Sequence, residues 1–238
     1  MLSNKQINHY LKKIDPLSDQ ILSNSFEKLN TELQAVTLNP IAKLSLKALF
    51  KESFRSRKRY NSYISKHSYL NILELNNPIF VIGLPRAGTT YLHNLLIHFL
   101  DRDGLEFWEL SEPIPYFSNS YVDAKFRKMR TFVLFMFYRI FIPNLQLMHP
   151  IKINSYEECW HLFKTSLGIY NLDFQFGLSN FGDWVRNNTI DHTYTEYKMM
   201  LKIISQSKTE KNIIILYTIV DNNLAKYLTI ETKNGIRL

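Results

Sequence analysis

The most informative part of the sequence is the stretch Ile79-Phe80-Val81-Ile82-Gly83-Leu84-Pro85-Arg86-Ala87-Gly88-Thr89-Thr90. Its first four residues are apolar and mostly β-branched, the pattern of a short strand buried on both faces. Two glycines follow, five residues apart, in a chain that has only 7 glycines among 238 residues. Beyond Thr90, apolar residues recur at helical spacing. The order of strand, glycine-containing loop and helix is typical of phosphate-binding loops.

The loop has the spacing G-x-x-x-x-G-T-T, but Thr89 stands where a nucleoside triphosphatase has a lysine. Gly88 lets the backbone approach an anion closely, and the helix that starts near it directs unpaired N–H groups and its positive end at that anion. Arg86 adds a guanidinium group that can bridge two oxygens. We therefore predict an anion-binding loop. Its predicted binding residues are Leu84, Pro85, Arg86, Ala87, Gly88, Thr89 and Thr90.

These residues resemble the sulfotransferase family. Pro78 to Thr90 is similar to the 5′-phosphosulfate-binding loop of that family, usually PRSGTT in its bacterial and tyrosyl-protein branches, with Ala87 in place of the common serine. The resemblance covers roughly residues 70–205. Further stretches that look like the bacterial branch are 91–96, 107–113 and 148–159.

The resemblance implies transfer of a sulfuryl group from 3′-phosphoadenosine 5′-phosphosulfate (PAPS) to a hydroxyl or amine of a small-molecule, lipid or glycan acceptor. A sulfuryl group carries less negative charge than a terminal phosphoryl group. We expect Arg86, which then also acts as a catalytic residue, to neutralise the developing charge with the loop N–H groups and threonine hydroxyls. No metal ion is expected to take part.

Such a transferase needs a base that removes the acceptor proton. Glu109 is the first candidate, because it follows Arg86 by 23 residues and resembles the family glutamate after the first helix. It lies at the end of a predicted strand, Leu105–Trp108, and the carboxyl ends of parallel strands face the ligand crevice. The other candidates are Glu106, Glu112, Glu157 and His149.

The second half of the cofactor site is expected to be missing. In related enzymes an arginine on a later strand, commonly in an Arg-Asp-Pro segment, holds the 3′-phosphate, and no such segment occurs here. After Arg186 the only arginine is Arg237, so we expect a truncated or diverged member. The alternative is a catalytically inactive nucleotide- or phosphate-binding module without a 3′-phosphate site. A kinase is disfavoured by the absent lysine and by the lack of a clear Walker-B acid.

The whole chain is predicted to be an α/β protein with a P-loop-like parallel sheet flanked by helices. Residues 1–70 read as a helical N-terminal segment with a helix from Pro40, and residues 71–238 as the sulfotransferase-like domain. Strands alternating with helices indicate a parallel sheet. Further predicted helices are Lys125–Ile142, Tyr156–Ile169 and Tyr194–Ile204, and further strands are Leu172–Phe176 and Ile213–Val220.

The net charge of +8 is concentrated between Lys43 and Lys66, where eight basic residues face one acid. Lys43, Lys47, Lys51 and Arg55 share one helical face, so the basic helix 43–59 is either a solvated face or a contact for a membrane or acidic partner. A nucleic-acid coat is not expected. The single cysteine excludes an internal disulfide, and a cytoplasmic location is expected. An exposed sheet edge would favour oligomers.

Overall fold

The computed structural model describes residues 16–84, 87–141, 151–166, 177–187, 191–208 and 212–218. Within these ranges the protein has an α/β fold with a parallel sheet, as predicted. The α-helices are α1 Pro16–Ala35, α2 Pro40–Lys66, α3 Thr89–Phe99, α4 Phe107–Ser111, α5 Ser120–Phe141, α6 Ser179–Asn187 and α7 Asp191–Ser205. The 3₁₀-helices are Ser68–Asn71 and Cys159–Ser166, and the strands are β1 Ile79–Gly83 and β2 Ile214–Thr218.

The two strands pair in parallel, with Ile79 opposite Ile214 and Gly83 opposite Thr218. A parallel pair buries apolar side chains on both faces, and the β2 residues from Ile214 to Leu216 are almost fully buried. Both strands were predicted at these positions from their apolar runs. Beside β2, Asp103 forms a parallel bridge with Ile213 on the edge that β1 does not occupy.

Helix α3 packs against this sheet with one face and exposes the other. Ile97 lies in a small core with Val81, Ile214 and Leu216. The opposite face is apolar but open to solvent; its residues include Tyr91, Leu92, Leu95 and Phe99. The helix therefore covers the strands while its first turn stays accessible at the carboxyl end of β1.

Two predicted elements are wrong. Leu105–Trp108 is not a strand, because the chain enters helix α4 at Phe107, where Glu106 and Glu109 form a reciprocal capping box. Tyr156–Ile169 is not an α-helix from its predicted start, because Tyr156 bridges Glu106 and Glu158 bridges Leu216 before the 3₁₀-helix begins. Backbone pairing thus replaces the helical hydrogen bonds in this segment.

The remaining predicted elements agree where the structure describes them. The predicted helix from Lys125 begins five residues earlier, at Ser120, and the predicted helix Tyr194–Ile204 lies inside α7. Pro40 opens α2, and the Asn39 side chain accepts a hydrogen bond from the Ala42 N–H at 2.7 Å. The predicted strand Leu172–Phe176 lies outside the described residues, as do residues 1–15 and 219–238.

The chain divides into two compact units. The described residues up to Asn71, together with Phe163–Tyr197, belong to the first; Ile72–Leu162 and the segment from Lys198 to β2 belong to the second. In the first unit a buried ion pair joins Arg57 of α2 to Glu196 of α7. The prediction that residues 1–70 form a separate segment remains a prediction.

Helix α2 exposes a row of lysines on its solvent side. Lys43, Lys47 and Lys51 are exposed, whereas Arg55 pairs with Glu52 at 2.5 Å. On the other side, Leu46, Phe50 and Phe54 are buried, and the Phe50 ring meets Phe26 of α1 edge to face at 5.4 Å. In the described part of the chain, no helix is long and apolar enough to cross a membrane.

We predict that Glu196→Gln destabilises the protein. The substitution leaves the Arg57 guanidinium buried without its countercharge, which typically costs about 3–5 kcal/mol of unfolding free energy. Urea unfolding followed by circular dichroism measures the change. The matched control is Glu27→Gln on the exposed side of α1, which should change stability by less than about 0.5 kcal/mol. Equal effects of the two substitutions would contradict a structural role for the pair.

Candidate functional site

The turn between β1 and α3 favours glycine at two positions, for two different reasons. A Cβ atom at Gly83 would lie 2.3 Å from Cγ2 of Thr89, the first residue of α3. Gly88 has a left-handed backbone with φ +80°, which disfavours a side chain, although nothing lies within 4 Å of the position its Cβ would take. Strand and helix thus meet closely, and the backbone at Gly88 stays open to a ligand.

The first turn of α3 is open to solvent and has no side-chain cap. Gly88 is the N-cap residue and no side chain caps the helix. The leading N–H groups of a helix have no partner within it, and the helix dipole adds positive potential there. Leu84, Ala87 and Gly88 are exposed, and Thr89 and Thr90 are partly exposed. Pro85 and Arg86 lie outside the described residues.

His93 fastens α3 to the sheet beneath the loop. Its side chain is fully buried, and Nε2 lies 3.0 Å from the carbonyl oxygen of Ile214. Burial lowers the pKa of His93, so the ring is neutral and Nε2 donates its proton to that carbonyl. The ring also meets Tyr156 edge to face at 6.3 Å. The helix start is therefore held in place by a polar bond as well as by apolar packing.

Glu109 is buried in α4, with 3% of its surface exposed. Its Oε2 accepts the N–H of Glu106 at 2.8 Å and lies 3.1 Å from Nζ of Lys208. Burial raises the pKa of Glu109, and the positive charge of Lys208 opposes that rise. All contacts described for this carboxylate involve Oε2.

The position of α4 relative to the sheet follows from the bridge at Asp103. The segment from Asp103 runs parallel to β2. Its continuation, α4, therefore lies toward the carboxyl end of β2, where Gly83 and the loop are also found. Arg127 of α5 also contacts α4, with its guanidinium carbon 4.5 Å from the centre of the Trp108 ring.

The other candidate bases are engaged elsewhere or not described. Glu112 is buried, accepts the Tyr116 hydroxyl at 2.8 Å and pairs with Arg130 at 3.1 Å. Glu157 is buried and accepts the Ser155 hydroxyl at 3.0 Å. Glu106 accepts the indole N–H of Trp108, and His149 lies outside the described residues. The identity of the base remains a prediction.

Sequence reasoning missed Lys208 and Asp103. The side chain of Lys208 is 8% exposed and its Nζ lies 2.8 Å from Oδ2 of Asp103, so the two join Glu109 in one polar cluster. No motif marks either residue, and Lys208 is remote from Glu109 in the sequence. Only the return of the chain into β2 brings it to α4. No three His, Cys, Asp or Glu side chains group as a metal site would need within the described ranges.

Comparison with known proteins places the chain in a family. The model of the sulfotransferase family matches residues 78–211, which include the loop, α3, α4 and Lys208. That match covers more than half of the sequence. The chain therefore belongs to the sulfotransferase family. No curated protein matches it.

Two solved structures share the fold. One is the crystal structure of the sulfotransferase STF1 from Mycobacterium tuberculosis H37Rv, with a TM-score of 0.62 and 20% sequence identity over 87% of this chain. The other is the sulfotransferase STF9 from Mycobacterium avium, with a TM-score of 0.62 and 17% identity over 93% of this chain. The chain spans 58% of the length of each of them.

We predict that Gly83→Ala and Gly88→Ala both destabilise the protein. The two causes differ, and a second substitution, Thr89→Ser, distinguishes them. The added methyl at residue 83 collides with Cγ2 of Thr89, and such overpacking costs about 1–3 kcal/mol. Thr89→Ser removes that methyl and should restore most of the loss. At residue 88 the cost is the left-handed backbone, about 1–2 kcal/mol, and Thr89→Ser should restore none of it.

Urea unfolding of the single and double variants measures these differences. Gly177→Ala is the matched control for the backbone cost, because Gly177 also has a positive φ of 68° with open space around it. It should lose about as much stability as Gly88→Ala. Rescue of both loop variants by Thr89→Ser, or of neither, would show that the turn is not packed as described.

Proposed function

We propose that the protein transfers a sulfuryl group from PAPS to a hydroxyl or amine acceptor. The observation that supports this most is the open, uncapped start of α3 directly after a buried parallel strand, inside the segment that matches the sulfotransferase family. Anions bind at such helix starts through backbone N–H groups. The loop pattern and the family both support a phosphosulfate ligand, and therefore the same donor and the same reaction.

The residues present fit the phosphosulfate end of the donor. Gly88 offers a backbone that a ligand can approach, and the hydroxyls of Thr89 and Thr90 are partly exposed beside it. Arg86 supplies the positive charge that the missing lysine would have given. PAPS, when bound, supplies the sulfuryl group and leaves as the 3′,5′-bisphosphate with the electron pair of the broken S–O bond.

The protein's own task is to stabilise charge and move one proton. Arg86 and the N–H groups of the α3 start stabilise the negative charge that develops on the sulfuryl oxygens and on the leaving phosphate. Glu109 Oε1 takes the acceptor's proton as the acceptor oxygen or nitrogen bonds to sulfur. Burial of Glu109 makes it a stronger base than an exposed glutamate, since its carboxylate form is less well solvated.

A groove beside α4 suits an acceptor with an apolar part. Its volume is about 540 Å³. One wall is connected to the start of α4, because the backbone N–H of Trp108 donates to the Ile153 carbonyl at 3.2 Å. Phe107 of α4 also meets Phe135 of the opposite wall edge to face. The groove is lined by Phe132, Phe135, Met136, Ile151, Lys152, Ile153, Asn154 and Ser155. The apolar part of this lining favours a lipid acceptor over a glycan.

The second candidate function is an inactive binding module that keeps the loop but lacks the 3′-phosphate site. It rests on the sequence, where no Arg-Asp-Pro segment occurs. The two candidates differ in one measurable property, because only the transferase forms a sulfated product. Incubation with PAPS and a lipid extract, followed by mass spectrometry, separates them.

Helix α2 is the proposed site of peripheral membrane contact. Lys43, Lys47 and Lys51 are exposed on it, and so are the apolar side chains of Ile41 and Leu44. Basic and apolar residues on one exposed helix favour an anionic lipid surface. Such contact would suit an acceptor that resides in a membrane.

We predict that Arg86→Ala weakens binding of adenosine 3′,5′-bisphosphate by about 10- to 100-fold, because a charge-assisted bidentate contact contributes about 1.5–3 kcal/mol. Isothermal titration calorimetry measures the affinity. Lys125→Ala, which removes one positive charge from an exposed position of α5, is the control and should leave the affinity unchanged.

The same titration with adenosine 5′-monophosphate examines the 3′-phosphate site. Equal affinities for the two nucleotides are expected if that site is missing. A strong preference for the bisphosphate would contradict its absence. Unchanged affinity in Arg86→Ala would contradict the loop assignment itself.

We predict that Glu109→Gln lowers turnover by about 10²- to 10⁴-fold, because the amide cannot accept a proton. Nucleotide affinity should stay nearly intact, since the base does not hold the donor. Glu112→Gln is the matched variant, a buried glutamate three residues further along. If Glu112→Gln abolishes turnover while Glu109→Gln does not, the base is Glu112.

A further inference from the structure

Lys208 occupies an unusual place for a lysine. It lies between the end of α7 and β2, and its side chain is 8% exposed. Lysine side chains are almost never this buried unless they are paired. Nζ lies 2.8 Å from Oδ2 of Asp103 and 3.1 Å from Oε2 of Glu109, so one ammonium group serves two carboxylates.

Each partner of this ammonium group is itself fixed. Asp103 Oδ1 accepts the N–H of Gly104 at 2.9 Å and the hydroxyl of Tyr156 at 3.3 Å. Glu109 Oε2 accepts the N–H of Glu106, the residue that opens α4. Among the described residues, the charged groups that form one cluster with Glu109 are Lys208, Asp103 and Glu106, and the Tyr156 hydroxyl joins the cluster through Asp103. Two of the three are negative, so Lys208 is the source of positive charge among them.

Burial and the neighbouring Glu106 carboxylate shift the pKa of Glu109 in the same direction. Burial raises the pKa of Glu109, and the charge of Glu106 adds to the rise. A glutamate that is protonated at neutral pH cannot serve as a base. The positive charge of Lys208 lowers the pKa of Glu109 and so opposes its protonation. Burial alone would lower the pKa of Lys208, but Glu109 and Asp103 outweigh burial and raise it, so the ammonium group stays charged.

We propose that Lys208 positions Glu109 for proton transfer, with its ammonium group holding Oε2 while Asp103 holds the ammonium group. The proposal rests on the proposed function, because it assigns Glu109 the role of the base. Lys208 does not touch the reacting atoms in it. It fixes one carboxylate oxygen and keeps the group ionised, so that Oε1 is the oxygen available to the acceptor.

Two substitutions should move the titration of Glu109 in opposite directions. Lys208→Met removes the positive charge and should raise the midpoint by about one pH unit or more. Asp103→Asn removes the competing anion, leaves the ammonium group to Glu109 alone and should lower the midpoint. Lys208→Arg keeps the charge and should stay close to the unsubstituted protein. A purely structural contact would not reverse sign between Lys208→Met and Asp103→Asn.

The midpoint is measured by carbon NMR of protein labelled at the glutamate carboxyls, with Glu109 assigned from the signal lost in Glu109→Gln. In parallel, the acid limb of the kcat/KM profile with PAPS should shift to higher pH in Lys208→Met and to lower pH in Asp103→Asn. Shifts of the same sign in both variants, or no shift in either, would overturn the proposal.

The outcomes also separate this proposal from the proposed function. If the unsubstituted protein forms no sulfated product, the proposed function fails, and the positioning role fails with it even if the NMR midpoints move. If product forms but the midpoints and acid limbs do not move, only the role of Lys208 fails. Should Lys208→Met not fold, Asp103→Asn decides, and a midpoint that does not fall overturns the proposal.

Discussion

The close approach of β1 and α3 is the constraint on which the site depends. Gly83 and Thr89 are so near that no Cβ fits between them, and Gly88 turns the chain through a left-handed residue. In addition to this turn, strand and helix are each held by a contact of their own. Pairing with β2 holds the strand, and the hydrogen bond from His93 to the Ile214 carbonyl holds the helix. Both anchors lead to the same strand, β2.

The second half of the candidate site depends on β2 as well. Asp103 bridges Ile213 next to the amino end of that strand, and Lys208 lies in the connection from α7 to β2. Between them they hold Glu109 in α4. The β1–α3 turn and the carboxylate cluster therefore both depend on contacts with β2. A polar cluster of this kind is costly to leave half-paired, which makes each of its three charges important to the other two.

The sequence predicted the parts of the site that follow one another along the chain. The apolar run 79–82, the two glycines and the helical spacing after Thr90 specify strand, turn and helix locally, and all three are found. The sequence predicted Glu109 at the end of a strand. Instead, the capping box formed by Glu106 and Glu109 stabilises the start of a helix at Phe107. Lys208 was unpredictable, because a buried lysine has no local signature and its partners lie about a hundred residues away.

The parallel pairing of β1 with β2 also bears on the order in which the protein folds. Its partners, Ile79 and Ile214, are separated by more than half of the chain, so closing that contact carries a large entropic cost before packing repays it. Helices such as α2 and α3 can form early from local contacts. The surroundings of the β1–α3 turn are complete only once this distant strand has paired with β1. A ligand that fits the finished turn would then slow unfolding by stabilising the last contact made.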